Sequence, residues 1–235
     1  MDIAENVRNV YACIEAAARS AGRDPADITL VAATKMNDME KVKEAIRAGI
    51  RVCGENRVQE LIEKSAVGAY RGAELHFIGH LQKNKVKYVV GEVSLIESVD
   101  SAELLSCINE RAQKCGVVQD VLLEINIGGE PSKSGMPPEE LPAVLENAAG
   151  LSCIRVRGLM AIPPISTAKG QNRGYFARMH QLFVDNQAKK YDNVSMDFLS
   201  MGMSGDFEDA IMEGANMVRV GTAIFGARPY PLKEN

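Results

Sequence analysis

The sequence has no apolar run approaching the ~18 residues that a bilayer-spanning helix needs, so no membrane association is expected. Its first residues include Asp2 and Glu5 and no apolar stretch of the signal-peptide kind, which predicts a cytoplasmic chain. Basic residues are not in excess. The formal net charge is −4, which disfavours non-specific nucleic-acid binding. Cysteine is sparse: Cys13, Cys53, Cys107, Cys115 and Cys153 make an odd number with no C-x-x-C pair. That usage fits small core residues in a reducing compartment rather than disulfides or a metal centre. No linker or low-complexity segment divides the chain, so a single domain over residues 1–235 is expected.

What is present is a regular alternation on a globular composition, 46% hydrophobic and 25% charged. From Asp2 to Ala21, Ile3, Val7, Val10, Ile14 and Ala18 recur three or four apart, an amphipathic helix ending near Gly22. Eight β-prone runs follow, beginning at Ile28, Ile50, Glu74, Ser94, Val118, Ile154, Ser195 and Met217. Seven have a helix-like or helix-length segment behind them. The clearest is "SAELLSCINERAQKCG", which Ser101 can cap, Leu104, Leu105, Ile108 and Ala112 can bury, and Gly116 can end. The pattern predicts an α/β fold, a single (β/α)8 TIM-type barrel with an extra N-terminal helix covering the last outer position. An open doubly wound sheet is the alternative, and it lacks support because no G-x-G-x-x-G follows the first strand. "MPPEELP" and "IPPIS" read as βα loops, the second long enough to move.

The carboxyl ends of barrel strands carry function, and chemistry-bearing residues gather there. "LVAATK" ends on Lys35, "GEN" on Asn56, and "LSMGMSGD" carries Ser200 near a strand end. Arg219, Gly221 and Thr222 lie on the last strand, "VRVGTAIFG". A lysine that ends a buried strand needs a reason, because its ammonium is costly to desolvate. Ser200, Gly202, Ser204, Gly205, Gly221 and Thr222 can offer hydroxyls and closely approachable backbone N–H groups to a phosphate, beside a helix N-terminus. A lysine, a phosphate cradle and an arginine on one rim suggest a phosphorylated aldehyde. Lys35 would hold it as a Schiff base, and Arg219 would face the ring nitrogen of pyridoxal 5'-phosphate. Arginine stays protonated, so that nitrogen would stay largely unprotonated and the ring would be a weak electron sink.

Here the chain resembles a known family. "LVAATK", "GENRVQE", "LHFIGHLQKNK", "INIGGEPSKSG", "RGLMAIPP", "FLSMGMSGDFEDAI" and "VRVGTAIFGAR" are similar, in order from Ile28 to Arg228, to the pyridoxal phosphate homeostasis proteins. These are single-domain relatives of the barrel half of alanine racemase. The resemblance implies that Lys35 carries the cofactor, Arg219 meets the pyridine nitrogen, Asn56 lies beside the ring, and Ser200, Gly221 and Thr222 hold the phosphate. It also implies intracellular storage and delivery of the cofactor to dependent apo-enzymes, by a monomer with no catalytic residues of its own. Members often read S-K-T-K-P at the first strand, where this chain has "TKMND", so Asn37 replaces a second lysine. Lys133 in "EPSKSG" matches a loop lysine of the family and is a candidate secondary amine.

Each residue also has a plainer reading. Lys35 can be a snorkelling or ion-paired lysine, Arg219 a structural ion-pair partner, and Ser200 and Thr222 turn caps. Asn56 can cap the helix that starts at "NRVQE". His76 and His80 fall on a strand and its loop without a carboxylate or cysteine beside them, so no metal is expected, and His180 reads as structural. "KNKVK" reads as a solvated face. The competing function is an amino-acid racemase, which needs a base on each face of the α-carbon. In the alanine racemase family the second base comes from another domain, for which no sequence follows strand eight here. A ligand-free scaffold barrel is the third reading, and the rim residues argue against it.

Overall fold

The structure is a computed structural model that describes residues 2–165, 168–188 and 191–226. Ser166 of the "IPPIS" loop, Ala227 and Arg228 of the last motif, and the end of the expected domain lie outside the described residues.

Eight parallel strands close one barrel in chain order. They are β1 (Thr29–Ala33), β2 (Val52–Glu55), β3 (Glu74–Phe77), β4 (Leu95–Val99), β5 (Gln119–Ile125), β6 (Ile154–Ala161), β7 (Val194–Ser200) and β8 (Met217–Val220). β8 returns to β1, with Val31 opposite both Val52 and Arg219. Strand pleating sends successive side chains to opposite faces. Val31 and Ala33 of β1 therefore pack inside the barrel with Val52, Leu95, Leu122 and Met217. Leu30 and Ala32 pack outward under the helices. Each fully buried aliphatic side chain contributes about 1.5–3 kcal/mol before chain entropy is set against it.

The outer layer holds α1 (Ile3–Ser20), α2 (Met39–Arg47), α3 (Val58–Ala66), α4 (Ala102–Cys115), α5 (Leu141–Ala149), α6 (Arg173–Gln187), α7 (Phe207–Met212) and α8 (Thr222–Phe225). α4 forms as its caps predict: the Ser101 hydroxyl accepts the Leu104 N–H at 3.3 Å, and Gly116 ends the helix at φ +67°. Between β3 and β4 the connection is a 3-10 helix, Lys83–Tyr88, rather than an α-helix. Its lysines recur every second residue, leaving no 3.6-residue apolar stripe, and only Val86 of it is buried.

α8 is a single turn, so α1 takes the outer position behind β8, packing on α2, α7 and α8. The Asn6 side chain donates to the Ile224 carbonyl at 2.9 Å, and Arg23 donates to the carbonyls of Ile211 and Ala215. The extra N-terminal helix thereby completes the ring. No helix among the described residues is long and apolar enough to cross a membrane.

Candidate functional site

The strand ends place most of the expected residues around one cavity of about 290 Å³ at the carboxyl mouth of the barrel. β1 ends at Ala33, two residues before Lys35. Pairing runs on to Thr34, whose N–H donates to Gly54 O at 2.9 Å, and the chain then turns. The inward phase of Val31 and Ala33 continues to Lys35, so Ala33 and Lys35 both line the cavity. Met36 adopts φ +61°, which lets the chain leave the barrel rim towards α2. Asn37 donates its side-chain amide to the Lys35 carbonyl at 3.1 Å, so the residue replacing the family's second lysine shapes this turn.

Asn56 follows β2 and also lines the cavity. It does not cap α3. That helix starts at Val58, with Arg57 at the cap position and no side-chain cap bond. The Asn56 Oδ1 atom is buried without a hydrogen-bond partner. A buried polar oxygen of that kind is ordinarily satisfied, so it marks a place where a ligand donor belongs. Gly79 packs against the backbone of Asn56, where a Cβ would lie 2.2 Å from the Asn56 carbonyl oxygen.

Ser204, Gly205, Gly221 and Thr222 line the cavity from beyond the ends of β7 and β8. The Ser204 hydroxyl accepts the Gly221 N–H at 3.1 Å and the Ala223 N–H at 3.4 Å, so two backbone donors converge on one point. Such convergence is an anion-binding geometry. The loop reaches that point because Gly202 takes φ +90°, where a Cβ would meet Ala210 Cβ at 2.6 Å. The start of α7 is turned to another task, for Asp206 Oδ1 accepts the Met203 N–H at 2.7 Å and Oδ2 accepts from Asn172.

Ser200 does not line the cavity. It ends β7, two residues after the partly buried Phe198, and is fully buried. Its hydroxyl donates to Glu97 Oε2 at 2.6 Å and accepts from Arg219 Nη1 at 2.5 Å. Ser204, four residues on, is the serine of this motif that lines the cavity. Arg219, 4% exposed, lines the cavity floor and donates through Nη2 to the Ala161 carbonyl at 2.9 Å.

Glu97 is the residue that sequence reasoning missed. It is fully buried, accepts from Ser200, lies 2.7 Å from His76 Nδ1 and stands 3.9 Å from Arg219. Burial alone would raise its pKa. The His76 contact, the Arg219 charge and the Ser200 bond outweigh burial and hold it below the usual carboxylate range. Burial pulls the Arg219 pKa down from its ordinary value, opposed by Glu97, Glu124 and Asp206. Arginine remains a cation under such shifts. Glu124, also buried, is pushed up to about 7 by burial and by Asp100, against the pull of Arg219. His76 is thus a satisfied interior histidine, and no group of three metal-ligating side chains occurs among the described residues. The available sequence signal for Glu97 was a carboxylate at an inward position of "LIESVD".

Lys133 lies away from the cavity lining. Its ammonium donates to the Pro163 carbonyl at 2.9 Å and pairs with Glu130 at 2.6 Å, tying the loop after β5 to the loop after β6. His80 stands on the neighbouring rim between Asp100 and Ser134.

The cavity approaches the ~300 Å³ lower end of ligand pockets, enough for a one-ring ligand. An anion point on one wall, a lysine on another, a cationic floor and an orphaned amide oxygen fit a flat phosphorylated aldehyde.

The comparisons with known proteins agree along the chain. The family model described as alanine racemase, N-terminal domain, matches residues 6–229. The pyridoxal phosphate homeostasis protein of Aquifex aeolicus is 44% identical over 230 residues, 98% of this chain and 100% of that one. That of Pseudomonas aeruginosa is 42% identical over 97% of this chain and 96% of its own. The solved structure of PipY from Synechococcus elongatus, with pyridoxal phosphate bound, superposes with a TM-score of 0.82 at 32% identity, covering 95% of this chain and 100% of that one. Built on the alanine racemase N-terminal barrel, the chain belongs to the pyridoxal phosphate homeostasis protein family.

Proposed function

We propose that the protein binds pyridoxal 5'-phosphate on Lys35 and serves cofactor homeostasis, holding the compound and passing it to dependent apo-enzymes in the cytoplasm. The observation that carries the reading is the convergence of Lys35, Asn56, Arg219 and the Ser204–Gly221 N–H cluster on one cavity. Bound there, the cofactor supplies an aldehyde that a primary amine captures reversibly. The residues then divide the work. Lys35 is the amine. Ser204, Gly221 and Thr222 take the phosphate, and Asn56 offers its buried amide oxygen at the ring. Arg219 faces the ring nitrogen as a donor, and Glu97 and Ser200 keep it charged and oriented. Of the five cysteines only Cys53 is buried, Cys107 and Cys153 being half-buried and Cys13 and Cys115 exposed, so the expectation of core cysteines holds for Cys53 alone.

This division supports little or no catalysis. Racemisation requires a base on each face of the α-carbon. Among the described residues lining the cavity, Lys35 is the one side chain able to act as a base, since Arg219 keeps its proton. A donor at the ring nitrogen also leaves that nitrogen unprotonated, which weakens the ring as an electron sink.

The test is to add pyridoxal phosphate to the purified protein, follow visible absorbance, and then incubate with L-alanine in deuterated water. Binding with negligible D-alanine and negligible α-deuterium is expected. Turnover at ~1 s⁻¹ or faster, lost in Lys35→Ala, would make the protein a racemase instead.

A further inference from the structure

Lys35 leaves β1 on a turn that the local sequence does not favour. Met36 adopts φ +61°, a left-handed conformation uncommon for a residue with a side chain. Both neighbours of Lys35 are tied to α3. The Met36 N–H donates to Glu60 Oε2 at 2.7 Å. On the other side, the Thr34 carbonyl accepts from Lys64 Nζ at 2.9 Å. Lys64 also bonds Glu60 Oε2 at 3.0 Å and Glu55 Oε1 at 2.6 Å, which satisfies all three of its donors. Glu55 Oε1 in turn takes the Thr34 hydroxyl at 2.6 Å and the Tyr70 hydroxyl at 3.0 Å.

Glu60 and Lys64 stand four residues apart on one face of α3, so a rigid helix grips the backbone before and after Lys35. Neither side chain lines the cavity. Lys64 is mostly buried, its side chain 11% exposed, so it is not available as a competing amine.

We propose that Glu60 and Lys64 are positioning residues for the cofactor-binding lysine, holding its backbone so that the amine meets an aldehyde whose phosphate is anchored in the same cavity. The proposal rests on the reading of Lys35 given above. Capture forms a carbon–nitrogen double bond and releases one water, with no oxidant or reductant. Its rate depends on reach and angle, and a misplacement of 1 Å can cost 10²-fold, on the order of the largest effect foreseen here.

The experiment compares two ligands on wild type, Glu60→Ala and Glu60→Gln. Pyridoxal phosphate needs Lys35 in place. 4'-Deoxypyridoxine 5'-phosphate has the same ring and phosphate without the aldehyde, so it reports the rest of the site and the integrity of the fold. Glu60→Ala should capture pyridoxal phosphate about tenfold more slowly, read by visible absorbance, while binding the deoxy analogue as wild type does. Glu60→Gln, whose amide oxygen can still accept the Met36 N–H, should recover most of the rate. Equal loss of both ligands would reduce the grip to general structural support, and unchanged capture would show that the turn holds itself. Either result overturns the proposal. Wild-type protein that binds the analogue but captures no aldehyde would sink the reading of Lys35 itself, and this proposal with it.

Discussion

Arg219 Nη1 donates to the Ser200 hydroxyl at 2.5 Å, and that hydroxyl donates onward to Glu97. The contact separates two serines that look alike in "LSMGMSGD". Ser200 is bonded to the buried arginine, whereas Ser204 accepts the Gly221 N–H at the cavity wall, where the phosphate is proposed to bind. Ser200→Ala should destabilise the fold by about 1–3 kcal/mol, because buried polar groups lose a partner. It should leave the preference for pyridoxal phosphate over pyridoxal unchanged. Ser204→Ala should lower that preference about tenfold, near 1.4 kcal/mol, with little effect on stability. Affinities for the two ligands on both variants check the assignment, and the opposite pattern would return the phosphate to Ser200.

The pairing of Glu97 with Arg219 makes a second expectation. Removing one partner takes the opposite charge away from the other inside the barrel, so Arg219→Gln and Glu97→Gln should each cost about 3 kcal/mol. The double variant should cost less than the sum by roughly 2 kcal/mol. Urea unfolding of the cofactor-free proteins measures the cycle. Additive losses would mean that the two side chains act independently.

Glu124 predicts a pH dependence. Its carboxyl ordinarily titrates near 4.5 and does so at about 7 in the fold, so the folded state holds the proton more tightly. Stability therefore falls as pH rises from 4.5 to about 7, and the full penalty is present above that window. Replacing Glu124 with Gln should leave stability nearly unchanged at about pH 4.5 and raise it by about 3 kcal/mol at about pH 8. Unfolding of both proteins at the two pH values is the measurement, and an equal effect at both would refute the raised titration.

That Lys35, Asn56, Arg219, Gly221 and Thr222 share one cavity was legible in the sequence because parallel barrel strands bring their carboxyl ends to one rim. The phase of β1 even foretells that Lys35 points inward with Val31 and Ala33. The sequence could not separate Ser200 from Ser204, since that depends on where β7 stops and on the turn at Gly202. Glu97 stayed hidden for a different reason. A carboxylate inside a strand is an anomaly visible from alternation, but its partner Ser200 lies 103 residues away. The grip of Glu60 and Lys64 on the Lys35 turn is likewise tertiary, because a charged pair on α3 reads as a solvated face until β1 is laid against it. For Asn56 the structure removes the plainer alternative, for a helix starts just after it without using its side chain as the cap.

The claim at the centre of this account is that Lys35 carries the cofactor. The direct measurement is borohydride reduction of the protein loaded with pyridoxal phosphate, followed by peptide mapping. The account predicts the pyridoxyl group on Lys35, with visible absorbance lost on reduction and never formed in a folded Lys35→Ala variant. The group found on Lys64, Lys133 or another lysine, with Lys35 unmodified, would contradict it.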